Sequence, residues 1–149
     1  MENQTPGKIP PQNIEAEQCV LGSILLQPGA MDKVTQFIRP EDFYRPAHQA
    51  IFAAMLSLFE KSQPQDLITV TSVLKDSHKL EEAGGASYLA SLTDIVPVAA
   101  NIHHYALLVR NKSILRKLIQ TSTDIAGRCY EEQDDIDALL DEVEQTVFD

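Results

Sequence analysis

Apolar residues along this chain recur at the three- and four-residue intervals of helices rather than in the alternation of strands. Val20, Leu21, Ile24 and Leu25 form the apolar face of a first helix. Asn13 stands where an N-cap belongs, Glu15 and Glu17 sit early enough to be favoured by the helix dipole, and Pro28-Gly29 ends the pattern. A short helix is predicted over Met31 to Ile38 and is broken by Pro40. Pro46 occupies a first helical position. Ile51, Met55, Leu58 and Phe59 follow at helical spacing, with Phe52 beside them, until Gln63-Pro64. The β-branched run from Ile68 to Val73 has the composition of a strand. Val70, Val73 and Leu74 nevertheless keep helical intervals, and no partner strand is evident, so a helix capped by Thr69 is predicted. Gly84-Gly85 is a turn, and Tyr88, Leu89 and Leu92 mark a further short helix that runs to Ile95 and is closed by Val96-Pro97.

The pattern then changes. From about Asn101 to Tyr130 there is no proline, and only Gly127 interrupts, so one helix of about 30 residues, roughly 45 Å long, is predicted. Leu108, Leu115, Ser122 and Cys129 recur every heptad, with Leu118 and Ile125 between them, in the manner of a coiled-coil seam. Tyr105, Val109, Lys112, Arg116 and Ile119 form a second stripe on an adjacent face. Two stripes imply packing on more than one neighbour. Glu131-Glu132-Gln133 makes a turn, Asp134 caps a last helix, and Ile136, Leu139, Leu140, Val143 and Val147 line its face. The expected fold is all-α: a compact multi-helix globular head followed by a long antiparallel helical hairpin. Residues 1–12, polar and broken by Pro6, Gly7, Pro10 and Pro11, are predicted to be a flexible or extended arm, 13–99 the head and 100–149 the hairpin.

Composition supports packed aliphatic helices, because Trp is absent and aromatics reach only 6%. A chain of 149 residues can bury a core without metal or disulfide. The net charge of -10 disfavours nucleic-acid backbones and anionic membranes. The imbalance is concentrated. The first hairpin arm carries Arg110, Lys112, Arg116, Lys117 and Arg128 against Asp124. The turn and second arm carry Glu131, Glu132, Asp134, Asp135, Asp137, Asp141, Glu142, Glu144 and Asp149 and no base. Such arms can pair within the hairpin or across a dimer, or they can simply be solvated. Cys19 and Cys129 belong to no CxxC pair and are expected to be free and mostly buried thiols in a reducing cytosol. The start of the chain lacks the basic and apolar regions of a signal peptide, and no apolar run approaches membrane-spanning length. The end at Val147-Phe148-Asp149, without helix punctuation, suggests a longer protein.

Catalytic chemistry is hard to find. There is no GxxxxGK[ST], so no P-loop is expected to bind nucleotide, and no catalytic, cofactor-binding or metal-ligating residue is assigned. His103 and His104, adjacent on a helix, point about 100° apart and cannot share a metal. His48, near Tyr44 and Arg45, is the best catalytic-looking residue, but no oriented partner or nucleophile is evident, and a structural role is expected. Cys19 reads as a small core residue; Tyr88 and Ile119 read as core or partner contacts.

Five blocks together carry a resemblance. They are Pro10-Pro11 with EAEQCVLGSIL (Glu15 to Leu25), FYRPAHQAIF (Phe43 to Phe52), DLITVTSVLK (Asp66 to Lys75), GGASYLASL (Gly84 to Leu92) and ANIHHYALLVRNKSILRKLI (Ala100 to Ile119). In this order and spacing they resemble the amino-terminal domain of the bacterial replicative DNA helicase of the DnaB type. The resemblance runs from about Pro10 to the last residue. It implies a non-catalytic, cytoplasmic collar domain whose parent continues into an ATP-dependent motor, with ATP and Mg expected only there. It also implies self-assembly as a dimer, or as a hexamer built as a trimer of dimers. The carboxy-terminal helicase-binding domain of primase is expected to dock on the collar at the replication fork, and a helicase loader is a further partner. On this resemblance the oligomer seam is placed at Leu108, Leu115, Leu118, Ile125, Leu139 and Val143, and primase docking at Glu15, Tyr88, Arg116, Ile119 and Ile125.

Three rival readings have distinct signatures. A helix-turn-helix nucleic-acid module would bind DNA in a salt-dependent way. A small hydrolase built on His48 and a carboxylate would lose activity in His48→Ala. A free-standing helical adaptor would have no ATPase domain downstream in the same reading frame.

Overall fold

The computed structural model describes residues 8–97, 101–131 and 134–148. The first residues of the predicted arm, the predicted head–hairpin boundary at 99–100, Glu132-Gln133 of the predicted turn and Asp149 lie outside the described residues. Seven α-helices and one turn of 3-10 helix, and no strand, are present among the described residues: α1 (Ile14–Leu26), α2 (Ala30–Val34), the 3-10 turn Pro40–Asp42, α3 (Pro46–Glu60), α4 (Leu67–Asp76), α5 (Gly85–Ile95), α6 (Ile102–Tyr130) and α7 (Ile136–Phe148). The protein is all-α.

Local chemistry sets most of the helix starts. The Asn13 side chain accepts from the Ala16 amide at 2.9 Å and caps α1. Pro46 opens α3 from an extended Arg45. The start of α4 differs from the sequence reading. Its cap is Asp66, which accepts from the Thr69 amide at 2.9 Å, while the Thr69 hydroxyl accepts from the Asp66 amide at 3.0 Å. Thr69 is therefore the third residue of a reciprocal capping box, not the cap. Likewise α7 is capped one residue later than expected: Asp135, immediately before Ile136, accepts from the Ala138 amide at 3.1 Å. The predicted helix to Ile38 is shorter, ending at Val34. The Phe37 and Ile38 amides both donate to the Val34 carbonyl, and an extended Arg39 leads into Pro40.

Two units are separable by their internal packing, Gln12–Ser113 and a second one comprising Ile114–Asp149 with the segment that precedes Gln12. The first unit holds the core. Leu21, Met31, Ile51, Phe52, Met55, Leu74, Leu89 and Leu92 are completely buried, and Phe43 packs on Phe52 with ring centroids 5.0 Å apart. Ile102, Ala106 and Val109, from the start of α6, belong to the same core. Its end is anchored by a buried hydrogen bond in which the Ser113 hydroxyl donates to Asp42 Oδ1 at 2.7 Å. The second unit contains the rest of α6 and all of α7, joined by an ion pair between Arg128 and Glu142. No residue of α7 is buried.

Candidate functional site

Two features stand out as candidate sites, one in each unit. In the first unit, a chain of polar groups crosses the apolar core. Glu17 lies on α1 at 1% exposure, on the same face as Val20, Leu21 and Ile24. Its Oε1 lies 2.7 Å from Nδ1 of His48 on α3, itself fully buried. Its Oε2 accepts from the Tyr44 amide at 2.7 Å, which ties down the segment just before α3. His48 Nε2 lies 2.6 Å from the hydroxyl of Tyr88 on α5, and the imidazole and phenol rings stack 9° from parallel with centroids 5.9 Å apart. The Gln18 amide donates to the same hydroxyl at 3.1 Å. An ionised Glu17 requires a proton on Nδ1, so a neutral imidazole presents Nε2 to the Tyr88 O–H as acceptor.

The first rival hydrolase requirement, a carboxylate partner for His48, is thus met by Glu17, which the sequence reading placed only as a dipole-favoured acid. The arrangement still does not make a catalyst. Both ring nitrogens of His48 are engaged and the ring is inaccessible, so no substrate atom can reach it. The signal for Glu17 was its register: residues 17, 20, 21 and 24 share one helical face, so a Glu there has to be buried and partnered.

In the second unit the candidate surface is apolar and open. Leu118 is 57% exposed, Ile119 47%, Leu140 59% and Phe148 81%. Leu115, Ile114, Ile136 and Val147 are exposed as well, and Ile125, Leu139 and Val143 are half-buried. Acidic residues flank the α7 stripe at Asp137, Asp141, Glu142 and Glu144, with no basic residue on that helix.

The proposed docking residues divide between the units. Glu15 is exposed on α1 and Tyr88 half-buried on α5, both in the first unit. Arg116, Ile119 and Ile125 lie on α6 in the second. Arg116 also does internal work, donating to the Pro11 carbonyl at 2.7 Å. Of the seam residues, Leu108 is half-buried against the core of the first unit, whereas Leu115 and Leu118 are exposed. His103 and His104 are exposed, His103 packing edge-on against Phe37 at 4.7 Å. Cys19 is buried as expected, but Cys129 is exposed. Its heptad position lies on the part of α6 beyond the core, where none of the described residues covers it.

Comparison with known proteins decides the family. Residues 9–111 match the model of the DnaB-like helicase N-terminal domain. The chain belongs to that family. It is 51% identical over 142 residues to the replicative DNA helicase DnaB of Geobacillus stearothermophilus, covering 95% of this chain and 31% of that protein. The chain thus spans about a third of the length of that DnaB relative. The crystal structure of the N-terminal domain of DnaB helicase from Mycobacterium tuberculosis superposes with a TM-score of 0.88 at 39% identity, covering 94% of this chain and 99% of that one. The N-terminal domain of DnaB helicase from Helicobacter pylori, described with its interactions with primase, superposes with a TM-score of 0.68 at 26% identity, over 78% of this chain and 91% of that one. No described helix is long and apolar enough to cross a membrane.

Proposed function

We propose that this chain is the collar of a replicative DNA helicase, assembling with copies of itself and docking primase at the replication fork. The observation that carries the reading is the open apolar face of α6 and α7, which the described residues leave exposed. An exposed patch of this kind marks a partner surface. Family membership and the primase interactions described for the Helicobacter pylori domain support primase as a partner. The working division is a head over 13–99 and a hairpin over 100–149. The seam is assigned to Leu108, Leu115, Leu118, Ile125, Leu139 and Val143, and the primase contacts to Glu15, Tyr88, Arg116, Ile119 and Ile125. ATP and Mg, and the cytoplasmic setting at the fork, belong to the proposed helicase as a whole; a helicase loader is a further proposed partner. This chain contributes assembly and recruitment, not catalysis.

Ile119→Ala tests the docking role. Ile119 is half exposed, so the helical circular-dichroism signal is expected to stay intact. Affinity for the helicase-binding domain of the cognate primase is expected to fall about 5- to 30-fold, as for a truncated apolar contact at an interface. Unchanged affinity would remove Ile119 from the interface, and loss of the helical signal would make it a core residue.

A further inference from the structure

The buried polar chain across the head has a cost that folding alone does not explain. Burying Glu17 and His48 removes both from water, and well-packed apolar residues at such positions generally stabilise as much or more. What the polar pair adds is direction. Glu17 and His48 are sealed inside, and Tyr88, the terminal member, is the half-buried one that reaches the surface. Its hydroxyl is held by His48 Nε2 at 2.6 Å and by the Gln18 amide at 3.1 Å, and its ring lies parallel to the imidazole. Gly84 closes the other side. A Cβ on Gly84 would press on Tyr88 Cδ2 at 2.8 Å and Cγ at 2.9 Å, and the backbone there has φ +101°, so only glycine leaves the ring its place. The remaining carboxylate oxygen of Glu17 holds the Tyr44 amide and so fixes the start of α3, which carries His48. Three helices are thereby tied together at one phenol.

We propose that Glu17 and His48 are positioning residues that fix Tyr88 in the orientation a docking primase reads, so that the buried Glu17–His48–Tyr88 chain is a working part of the docking surface. This rests on the reading of Tyr88 as a primase contact. An ordered aromatic ring loses little freedom on binding, and a partner that meets it already oriented binds more tightly than one that must order it.

The test is titration calorimetry of the 149-residue chain against the helicase-binding domain of its cognate primase. His48→Asn keeps an N–H near the Nδ1 position for Glu17 but cannot reach Tyr88, whereas His48→Gln places an amide near Nε2. Tyr88→Phe keeps the ring and removes the hydroxyl. Tyr88→Phe and His48→Asn are each expected to weaken binding about 5- to 10-fold, the double variant no more than either alone, and His48→Gln to recover wild-type affinity within about twofold. Additive losses in the double variant, or wild-type affinity in His48→Asn with only its melting temperature lowered, would overturn the proposal. Wild-type affinity in Tyr88→Ala would instead remove Tyr88 from the docking surface altogether. If His48→Asn fails to give the wild-type far-ultraviolet spectrum, Gln18→Met removes the second bond to the same hydroxyl from a half-buried position. A smaller loss in affinity then supports the proposal and wild-type affinity overturns it.

Discussion

The two cysteines live in opposite surroundings, and their chemistry should differ accordingly. Burial pushes the Cys19 thiol up from its ordinary value, and the negative charge of Glu15 adds to the shift. Cys129 is exposed near the end of α6. A thiol-specific reagent is therefore expected to label Cys129 rapidly and Cys19 more than about tenfold slower, by way of local opening. The sign for stability follows. The folded state holds the Cys19 proton more tightly than the unfolded chain. Its contribution is thus complete below the ordinary thiol pKa and declines as pH rises through the folded value. Alkaline unfolding of Cys19→Ala should lack that decline, and equal labelling rates in the native protein would contradict the burial. Residues like these were only partly legible in the sequence. Asn13 and Pro46 could be placed because a cap or an N1 proline acts within a few residues of itself. The partnership of Glu17 with His48 could not, because it joins groups 31 residues apart, and nothing local reports the partner. What was local was the anomaly. Residues 48, 51, 52 and 55 share a helical face just as 17, 20, 21 and 24 do, so both polar groups sit where apolar ones belong.

Elements were legible where periodicity and punctuation agreed, and their ends were missed where two candidate caps stood close together. Asp66 and Thr69 both suit a helix start. The tie is broken by the extended Asp66 backbone, which a sequence does not display. The packing of α1 on α5 was not legible either, and it depends on one small residue. A Cβ at Gly22 would meet the Leu92 carbonyl oxygen and Val96 Cγ2 inside contact distance, and the carbonyl is backbone that cannot rotate away. Gly22→Ala gains up to about 1 kcal/mol of helix propensity. It has to force α1 from α5, and overpacking of that kind costs about 1–3 kcal/mol. The net expectation is a loss of about 1–2 kcal/mol in urea denaturation, in a position where alanine would otherwise stabilise an exposed helix. A variant as stable as wild type would mean that the two helices part easily.

At the scale of the whole molecule, the core and the open apolar face belong to different parts of the chain. Every residue of the apolar core lies at or before Val109, and beyond it Ser113 is the last buried residue described. The two stripes on α6 did not display this division, because both begin against the core, one at Leu108 and the other at Tyr105. Spacing alone names nothing that would cover the exposed apolar face of α6 and α7 beyond the core. If a second copy covers it, Leu118 and Val143 are seam residues and the chain associates in a concentration-dependent way. Burying one large aliphatic side chain is worth about 1.5–3 kcal/mol. Leu118→Asp or Val143→Asp should thus weaken self-association by about tenfold to a hundredfold or more, since a desolvated charge adds to the lost burial. Neither substitution touches the core of the first unit, so its melting temperature should stay unchanged. Light scattering on a sizing column across a concentration series is the direct measurement. A wild-type oligomer converted to monomer by either change places the seam on α6 and α7. A wild type that stays monomeric at high micromolar concentration leaves the fold standing and assigns the open face to a different partner.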